Sequence, residues 1–298
     1  MEDAFLSGLV LIDKPSGWTS HDVVNRLRKI AGIKRAGHLG TLDPMATGLL
    51  GVLTGTATRL APWLGSDDKT YVAEIGLGVV SNTYDADGEV RQTGIALPSD
   101  RAHVESALDE FRGRVVQIPP AFSAKKISGV PAYKLARKQL EVALPPIEVE
   151  IKELELTSWS SNRIQLLVTS SAGTYIRSLA HDLGQRLGCG AVLTGLRRTR
   201  TGDFLIEQAH TLEELSGLAA AGNLKDALTP AARLLPHIPA EFFDVQTVAH
   251  IRQGRKFRTS PFVVPPASPI VKALSHSGEL VAIGELIFPN FYHPKAVF

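Results

Sequence analysis

The stretch Gly37-His38-Leu39-Gly40-Thr41-Leu42-Asp43-Pro44 sets one carboxylate among glycines and directly ahead of a proline. Glycines allow backbone torsions that other residues resist and leave room for a ligand to approach. Proline biases the residue before it away from helical geometry. Such a loop can hold the Asp43 carboxylate rigidly over a cleft. Taken alone, the same pattern also describes a turn in which Asp43 bonds its own backbone.

Other arrangements that could do chemistry are incomplete. Ser123-Ala124-Lys125-Lys126 fits the Ser-x-x-Lys pattern of acyl-serine hydrolases, but neither companion motif, Ser-Asp-Asn or Lys-Thr-Gly, accompanies it. Gly76-Leu77-Gly78 begins a dinucleotide fingerprint, yet Ser81 holds the third glycine position and no helix is expected after it. Cys189 is the only cysteine, which excludes an intrachain disulfide and a cysteine-based zinc site. The nine histidines form no His-x-x-x-His pair, so no metal is expected.

A net charge of +2 announces no particular partner, but its distribution is uneven. Lys125, Lys126, Lys134, Arg137 and Lys138 fall in fourteen residues without an acid. Arg197, Arg198 and Arg200 form a second cluster, and Arg252, Arg255, Lys256 and Arg258 a third. Each could be a solvated face; together they suggest a surface that follows phosphates. No apolar run approaches the roughly 20 residues of a membrane-spanning helix. The start Met1-Glu2-Asp3-Ala4 lacks the pattern of a signal peptide, so a cytoplasmic location is expected.

The elements that must position Asp43 follow from periodicity. Gly8 to Ile12 reads as a buried strand closed by the turn residues Lys14-Pro15-Ser16-Gly17. Thr19 or Ser20 can cap a helix carrying Val23, Leu27 and Ile30, with Gly32 ending it. Tyr71, Ala73, Ile75, Leu77 and Val79 alternate as one face of a strand. A helix is expected near Asp100 to Phe111, strands at Val149–Leu156 and Ile164–Thr169, and a helix from about Thr174 to Gly188. Arg197 to Ile206 reads as a hairpin turning at Thr201-Gly202-Asp203, with a polar helix near Leu212. The basic segment Ile118 to Ile147, bracketed by Pro119-Pro120 and Pro145-Pro146, predicts a protruding flap. Composition shifts at Pro230 to Pro239, after which short strands broken by Pro and Gly predict a separate small β-rich domain. Helices and hairpins that mix without βαβ alternation give the α+β class.

A resemblance now adds to this reading. Lys34 to Leu50 closely resembles the catalytic motif of the bacterial TruB family of tRNA pseudouridine synthases, whose motif aspartate is the nucleophile. The family's N-terminal signature resembles Asp13-Lys14-Pro15-Ser16-Gly17-Trp18-Thr19-Ser20, and its second motif resembles Lys69-Thr70-Tyr71 with Gly76 and Gly78. The third resembles Gly173-Thr174-Tyr175-Ile176-Arg177, then Asp182-Leu183-Gly184 and Leu196-Arg197-Arg198. The motifs run in order from about residue 8 to 235; Leu39 departs from the family's usual threonine.

The resemblance implies an α+β pseudouridine synthase catalytic domain over 1–235, built on a mixed, largely antiparallel sheet with flanking helices. A thumb-like insertion at about 118–147 and a PUA-like RNA-binding domain over 236–298 go with it. It implies isomerisation of the T-loop uridine at position 55 of tRNA, with the base flipped out of its stack and no cofactor. Asp43 is then the nucleophile, Arg177 its partner, which would lower its pKa, and Tyr71 the ring lying against the uracil. Tyr175 and Leu196 line the uracil pocket, and His38 fills the space left in the RNA stack. Lys125, Lys126 and Lys138, with Tyr133, would contact the RNA backbone of the T-arm stem-loop. No metal, no membrane and a monomeric state are expected.

Overall fold

The chain enters through β1 (Gly8–Lys14), whose residues are buried on both faces. Val10 and Ile12 face one apolar core, while Leu9 and Leu11 face another, so the strand reads as a continuous apolar run rather than an alternating one. Helix α1 (Ser20–Ala31) follows, started by a capping box between Thr19 and Asp22 and ended by Gly32 in the left-handed conformation. This computed structural model describes residues 6–298 except 124, 128, 137, 139 and 141–143, with backbone alone at 126, 131 and 133.

Next come β2 (Ala36–Leu39), β3 (Thr47–Thr54), α2 (Ala61–Leu64), β4 (Lys69–Leu77), and the short pair β5 (Val79–Ser81) and β6 (Val90–Gln92). Helix α3 (Arg101–Asp109), capped by Asp100, precedes β7 (Gly113–Gln117). The insertion contributes β8 (Lys126–Ile127), β9 (Val130–Pro131) and α4 (Ala132–Ala136). Strands β10 (Ile147–Trp159) and β11 (Arg163–Ser170) form a long hairpin, followed by α5 (Ile176–Arg186), β12 (Ala191–Thr201), β13 (Phe204–Leu205), α6 (Leu212–Ala220) and β14 (Leu228–Pro230).

These strands build one ten-stranded sheet in the order β14-β1-β3-β12-β4-β11-β10-β7, with β2 added to β3 and β13 to β12. Its pairings are antiparallel apart from β3 with β12, where Arg198 is registered against Gly48. The mixed, largely antiparallel α+β architecture is therefore observed. Helices α1 and α5 lay Val23, Leu27, Leu179 and Leu183 on one face of the sheet, over residues such as Ala73, Ile75, Leu166 and Val168.

A second sheet forms from β15 (Ala240–Phe243), β16 (Phe257–Arg258), β17 (Ile270–Ser275), β18 (Leu280–Phe288) and β19 (Phe291–Val297), in the order β15-β17-β18-β19-β16. It is accompanied by α7 (Val245–Arg252), whose Asp244 cap and buried Val248 and Ile251 were not read from the sequence. This β-rich region has a core of its own but does not stand apart. Leu274, Leu280 and Ile283 join Leu9, Leu49, Leu53 and Leu234 in a shared apolar cluster on the back of the main sheet.

Three expectations change in detail. The hairpin expected from Arg197 begins earlier, because β12 already runs from Ala191 as an interior strand between β3 and β4. Helix α5 starts at Ile176, two residues beyond Thr174, leaving Tyr175 as its N-cap. The insertion is only partly a protruding flap: Ser123, Ala132 and Leu144 are buried, so its base packs against the domain.

Candidate active site

The register of the main sheet places Lys14, Gly48, Arg198, Tyr71 and Val168 in one row across β1, β3, β12, β4 and β11. Directly paired residues share a face of a sheet, so this row is the floor on which the Asp43 loop rests. Leu196 and Arg198, two residues apart, also share a face, and a register irregularity between Arg198 and Arg200 interrupts the strand just beyond.

Arg198 is almost completely buried, with 1% of its surface exposed. Its Nε donates to the Leu49 carbonyl at 2.7 Å and its Nη2 to the Gly40 carbonyl at 3.2 Å. The guanidinium thus ties together the two ends of the segment that carries Asp43. Lys14, also buried, donates through Nζ to the carbonyls of Pro15 (2.9 Å), Pro44 (3.1 Å) and Trp18. Burial pulls its pKa down to about 8, against the raising influence of Asp43, Asp22 and Asp87. The backbone N–H of Gly17 donates to the same Pro44 carbonyl at 2.8 Å. The loop is therefore held by charge-assisted bonds from two sides.

Of the three glycines around Asp43, two are required. Gly48 has φ +98, and a Cβ there would stand 2.3 Å from the Arg198 carbonyl oxygen. Gly40 has φ +82. Gly37 needs no special torsion and an added Cβ would meet nothing, so its place in the motif has no steric explanation.

The Asp43 carboxylate receives Arg177 Nη2 on Oδ1 at 2.8 Å. Arg177 is buried although it lies in the first turn of α5, where a cation is electrostatically unfavoured. The compensation comes from acceptors. Nη2 also donates to the Phe122 carbonyl at 3.0 Å, and Nη1 donates to the Thr83 carbonyl at 3.2 Å. Asp85 Oδ2 lies 3.3 Å from Nη1, so a second carboxylate shares the same guanidinium. Two anions on one cation alter the expected electrostatics of Asp43. Burial pushes its pKa up, Arg177 pulls it down, and Asp85 and Asp87 push it up again; the net direction is upward, not downward.

Tyr71 is buried on β4 beside Arg198; burial raises its phenol against the lowering pull of Arg198, and the negative charge of Asp43 adds a smaller rise. Leu196 shares its apolar cluster with Tyr71 and with Leu42 and Ala46 from the Asp43 loop. His38 lies half-buried on β2; burial and the nearby Arg198 charge lower its pKa, and its Nδ1 has no hydrogen-bond partner among the described residues. Leu39 alternates to the opposite face and packs into the shared apolar cluster with Leu49 and Leu53. Tyr175 is held by its backbone: its N–H donates to Gln117 Oε1 at 3.0 Å, and Gln117 Nε2 donates to its carbonyl at 3.3 Å.

The structure thus brings Arg177 from α5 onto Asp43, above the floor that carries Tyr71, with His38 and Leu196 adjoining. Sequence reasoning missed Asp85, Gln117 and the clamping role of Arg198. It also read Arg197, Arg198 and Arg200 as a phosphate-facing surface; burial removes Arg198 from that surface, while Arg197 and Arg200 stay partly exposed. Arg198 is internal, Arg197 forms a two-point pair with Asp13 at 2.7 and 3.1 Å, and Arg200 Nε donates to Thr70 Oγ1 at 3.2 Å. On the insertion, Lys125 is half-buried and Lys138 exposed, while the side chains of Lys126 and Tyr133, and Arg137 as a whole, lie outside the described residues. Ser123 is buried with no partner for its hydroxyl among the described residues, and β4 continues into β5 rather than a helix, so neither rival motif gains support. A cavity of about 1240 Å³ is lined by Lys14, Trp18, Arg26, Lys29 and Arg197 among others; Asp43 is not part of its wall.

This mixed α+β sheet, carrying a clamped carboxylate with an arginine partner beside a buried tyrosine, has the architecture of the pseudouridine synthase class. Solved structures agree. The chain aligns with TM-score 0.70 and 26% identity to a structure described as an H/ACA RNP bound to a substrate RNA containing 2'-deoxyuridine, covering all of this chain and 86% of that one. A Cbf5-Nop10-Gar1 complex gives TM-score 0.70 at 28% identity, over 96% of this chain and 80% of that one. Residues 28–176 match the N-terminal domain of the TruB family pseudouridylate synthases, and residues 177–236 match the tRNA pseudouridylate synthase B C-terminal domain. Relatives called tRNA pseudouridine synthase B include one from Solibacter usitatus, 49% identical over 98% of this chain and all of that one. Another, from Geobacter sulfurreducens, is 43% identical over 84% of this chain and 82% of that one. The chain belongs to the TruB family of pseudouridylate synthases.

Proposed function

We propose that this enzyme converts the T-loop uridine at position 55 of tRNA into pseudouridine, with Asp43 as the reacting carboxylate. The observation that carries the proposal is the 2.8 Å contact between Arg177 and Asp43 inside the family-matched loop. The names of the relatives supply the tRNA substrate. The reaction is an isomerisation. The N1–C1′ bond of the uridine breaks with its electron pair left on N1, the uracil turns, and a C5–C1′ bond forms; the proton on C5 then leaves as the ring regains its conjugation, and N1 takes up a proton.

The chain's own residues support each requirement. The uridine must leave its stack to be reached, and His38 is the group proposed to fill the space it vacates. The flipped uracil lies against Tyr71, walled by Leu196 and Tyr175. Asp43 reacts as the anion, either at C1′, at C6, or in removing a sugar proton; each course needs the same ionised oxygen within reach of the nucleoside. Arg177 orients that oxygen and offsets part of the burial that raises its pKa. Lys125, Lys126 and Lys138 of the insertion contact backbone phosphates of the T-arm, recognised by shape and charge. Residues 1–235 form the catalytic domain in this account. The second sheet, within 236–298, acts as a PUA-like RNA-binding unit whose exposed Arg255, Lys256 and Arg258 face the RNA. The enzyme works as a cytoplasmic monomer without a cofactor.

The test is incubation with unmodified tRNA followed by mapping of pseudouridine by mass spectrometry. Conversion at the T-loop uridine supports the assignment, and conversion elsewhere alone contradicts the substrate.

A further inference from the structure

Tyr84 has φ +64, a left-handed backbone conformation that a bulky side chain rarely adopts. Its ring lies flat on His181, with centroids 3.9 Å apart and planes inclined by 13°. His181 is four residues beyond Arg177 on α5, so the two side chains lie one turn apart on the same face of the helix.

The residues on either side of Tyr84 are the ones that reach Arg177. The Thr83 carbonyl accepts from Nη1, and the Asp85 carboxylate pairs with that same nitrogen. Asp85 Oδ1 is fixed by its own loop, accepting from Thr83 Oγ1 at 2.5 Å and from the Asp87 N–H at 3.1 Å. Only Oδ2 turns to the arginine. Behind the loop, the Leu193 N–H donates to the Tyr84 carbonyl and the Ala86 N–H to the Leu193 carbonyl, tying it to β12. In front, the loop meets α5 at the Arg177 bonds and through the Tyr84 ring. The unusual torsion lets one short segment aim two acceptors at Arg177 while sending the intervening ring across to His181.

The geometry points to Tyr84 and His181 as positioning residues for the reaction: their stack clasps the 82–88 loop to α5 and so sets where Asp85 holds Arg177, and hence where Arg177 holds Asp43. The inference rests on the reading of Asp43 as the reacting carboxylate. It requires no contact between either ring and the RNA.

Three variants test it in the full-length enzyme with tRNA. Tyr84→Gly removes the ring while suiting the torsion better than tyrosine does, and His181→Ala removes the other half. Each is expected to lower kcat by about five- to tenfold, the size of one aromatic pair, with KM for tRNA unchanged within about twofold. Tyr84→Phe keeps the ring and should retain the wild-type kcat. The double variant Tyr84→Gly/His181→Ala should lose no more than the worse single one, because both act through one contact. Wild-type turnover by Tyr84→Gly, losses that multiply in the double variant, or failure of phenylalanine to restore the rate would each overturn the proposal. Asp43→Asn, run alongside, separates the two readings: activity in that variant refutes the role of Asp43, whereas an inactive Asp43→Asn beside a fully active Tyr84→Gly refutes the clasp alone.

Discussion

Arg177 and Asp85 form a buried ion pair, Nη1 to Oδ2 at 3.3 Å, on the side of the guanidinium away from the nitrogen that holds Asp43. Asp85 therefore acts on Asp43 twice, once through space by like charge and once through the arginine it orients. The two effects have opposite consequences for the pH profile. Removing the Asp85 charge takes away a raising influence on Asp43, so Asp85→Asn should move the acid limb of kcat/KM to lower pH. Arg177→Lys weakens a lowering influence and loses the two-nitrogen geometry, so its acid limb should move to higher pH, with kcat down by about 10²–10³-fold. A pH series on both variants checks the signs; shifts in the same direction would contradict the shared-cation arrangement.

The stability of the Asp43 site follows the same sign. A carboxyl whose pKa is raised on folding holds its proton better in the folded chain, so folding loses stability as pH rises from the unfolded value through the folded one. Wherever Asp43 is ionised its buried charge opposes folding, and Asp43→Asn should melt no lower than the wild type. A thermal melt at pH 7.5 on both proteins tests this, and a large loss of Tm in the variant would show that Arg177 outweighs burial.

Lys14 gives a prediction in the alkaline range. Folded, it titrates near pH 8, and unfolded near its ordinary value of 10.5. Between those values the unfolded chain keeps the proton that the folded chain has lost, so stability from this site rises with pH. The stability of wild type relative to Lys14→Met should grow from pH 8 toward pH 10 in urea titrations. A constant difference would place the Lys14 pKa outside that window.

The glycines make opposite predictions. Gly48→Ala drives a Cβ against the Arg198 carbonyl and demands a left-handed torsion, costing about 3 kcal/mol or more and displacing the Asp43 loop. Gly37→Ala meets nothing and should change stability by less than about 0.5 kcal/mol. Urea midpoints and kcat for the two variants decide whether the tight approach of β3 and β12 is what the motif protects.

What could be read from the sequence divides along lines of distance. Helix α1 was legible because its cap, apolar spacing and terminal glycine are all local, and β1 because an apolar run between turn residues needs no partner to be recognised. Asp43, Arg177 and Tyr71 were legible only through ordered motifs, since nothing near each in sequence brings them together. Asp85 was missed because its role depends on an arginine ninety-two positions away. Arg198 was misread because a basic triplet carries no sign of burial; only the register that sets it between Gly48 and Tyr71 turns it inward. The direction of the Asp43 pKa was misjudged for a related reason. Arg177 was visible, and the burial and second carboxylate that outweigh it were not.

The cations Lys125 and Lys138 on the insertion lead to a binding prediction. Replacing Lys125 and Lys138 by glutamine should weaken tRNA binding and reduce the slope of log K against log salt by about one to two charges' worth, with kcat at saturation preserved. Filter binding from low to moderate salt measures the slope, and an unchanged slope would remove the insertion from the RNA-contacting surface.

The central claim is that Asp43, held by Arg177, is the group that reacts with the flipped uridine. It is tested most directly by giving unmodified tRNA to the wild type and to Asp43→Asn and quantifying pseudouridine at position 55 by mass spectrometry, with tRNA binding measured in parallel. The account predicts complete conversion by the wild type, and no product from the variant despite near-normal binding. Pseudouridine formed by Asp43→Asn at a rate close to that of the wild type would contradict it.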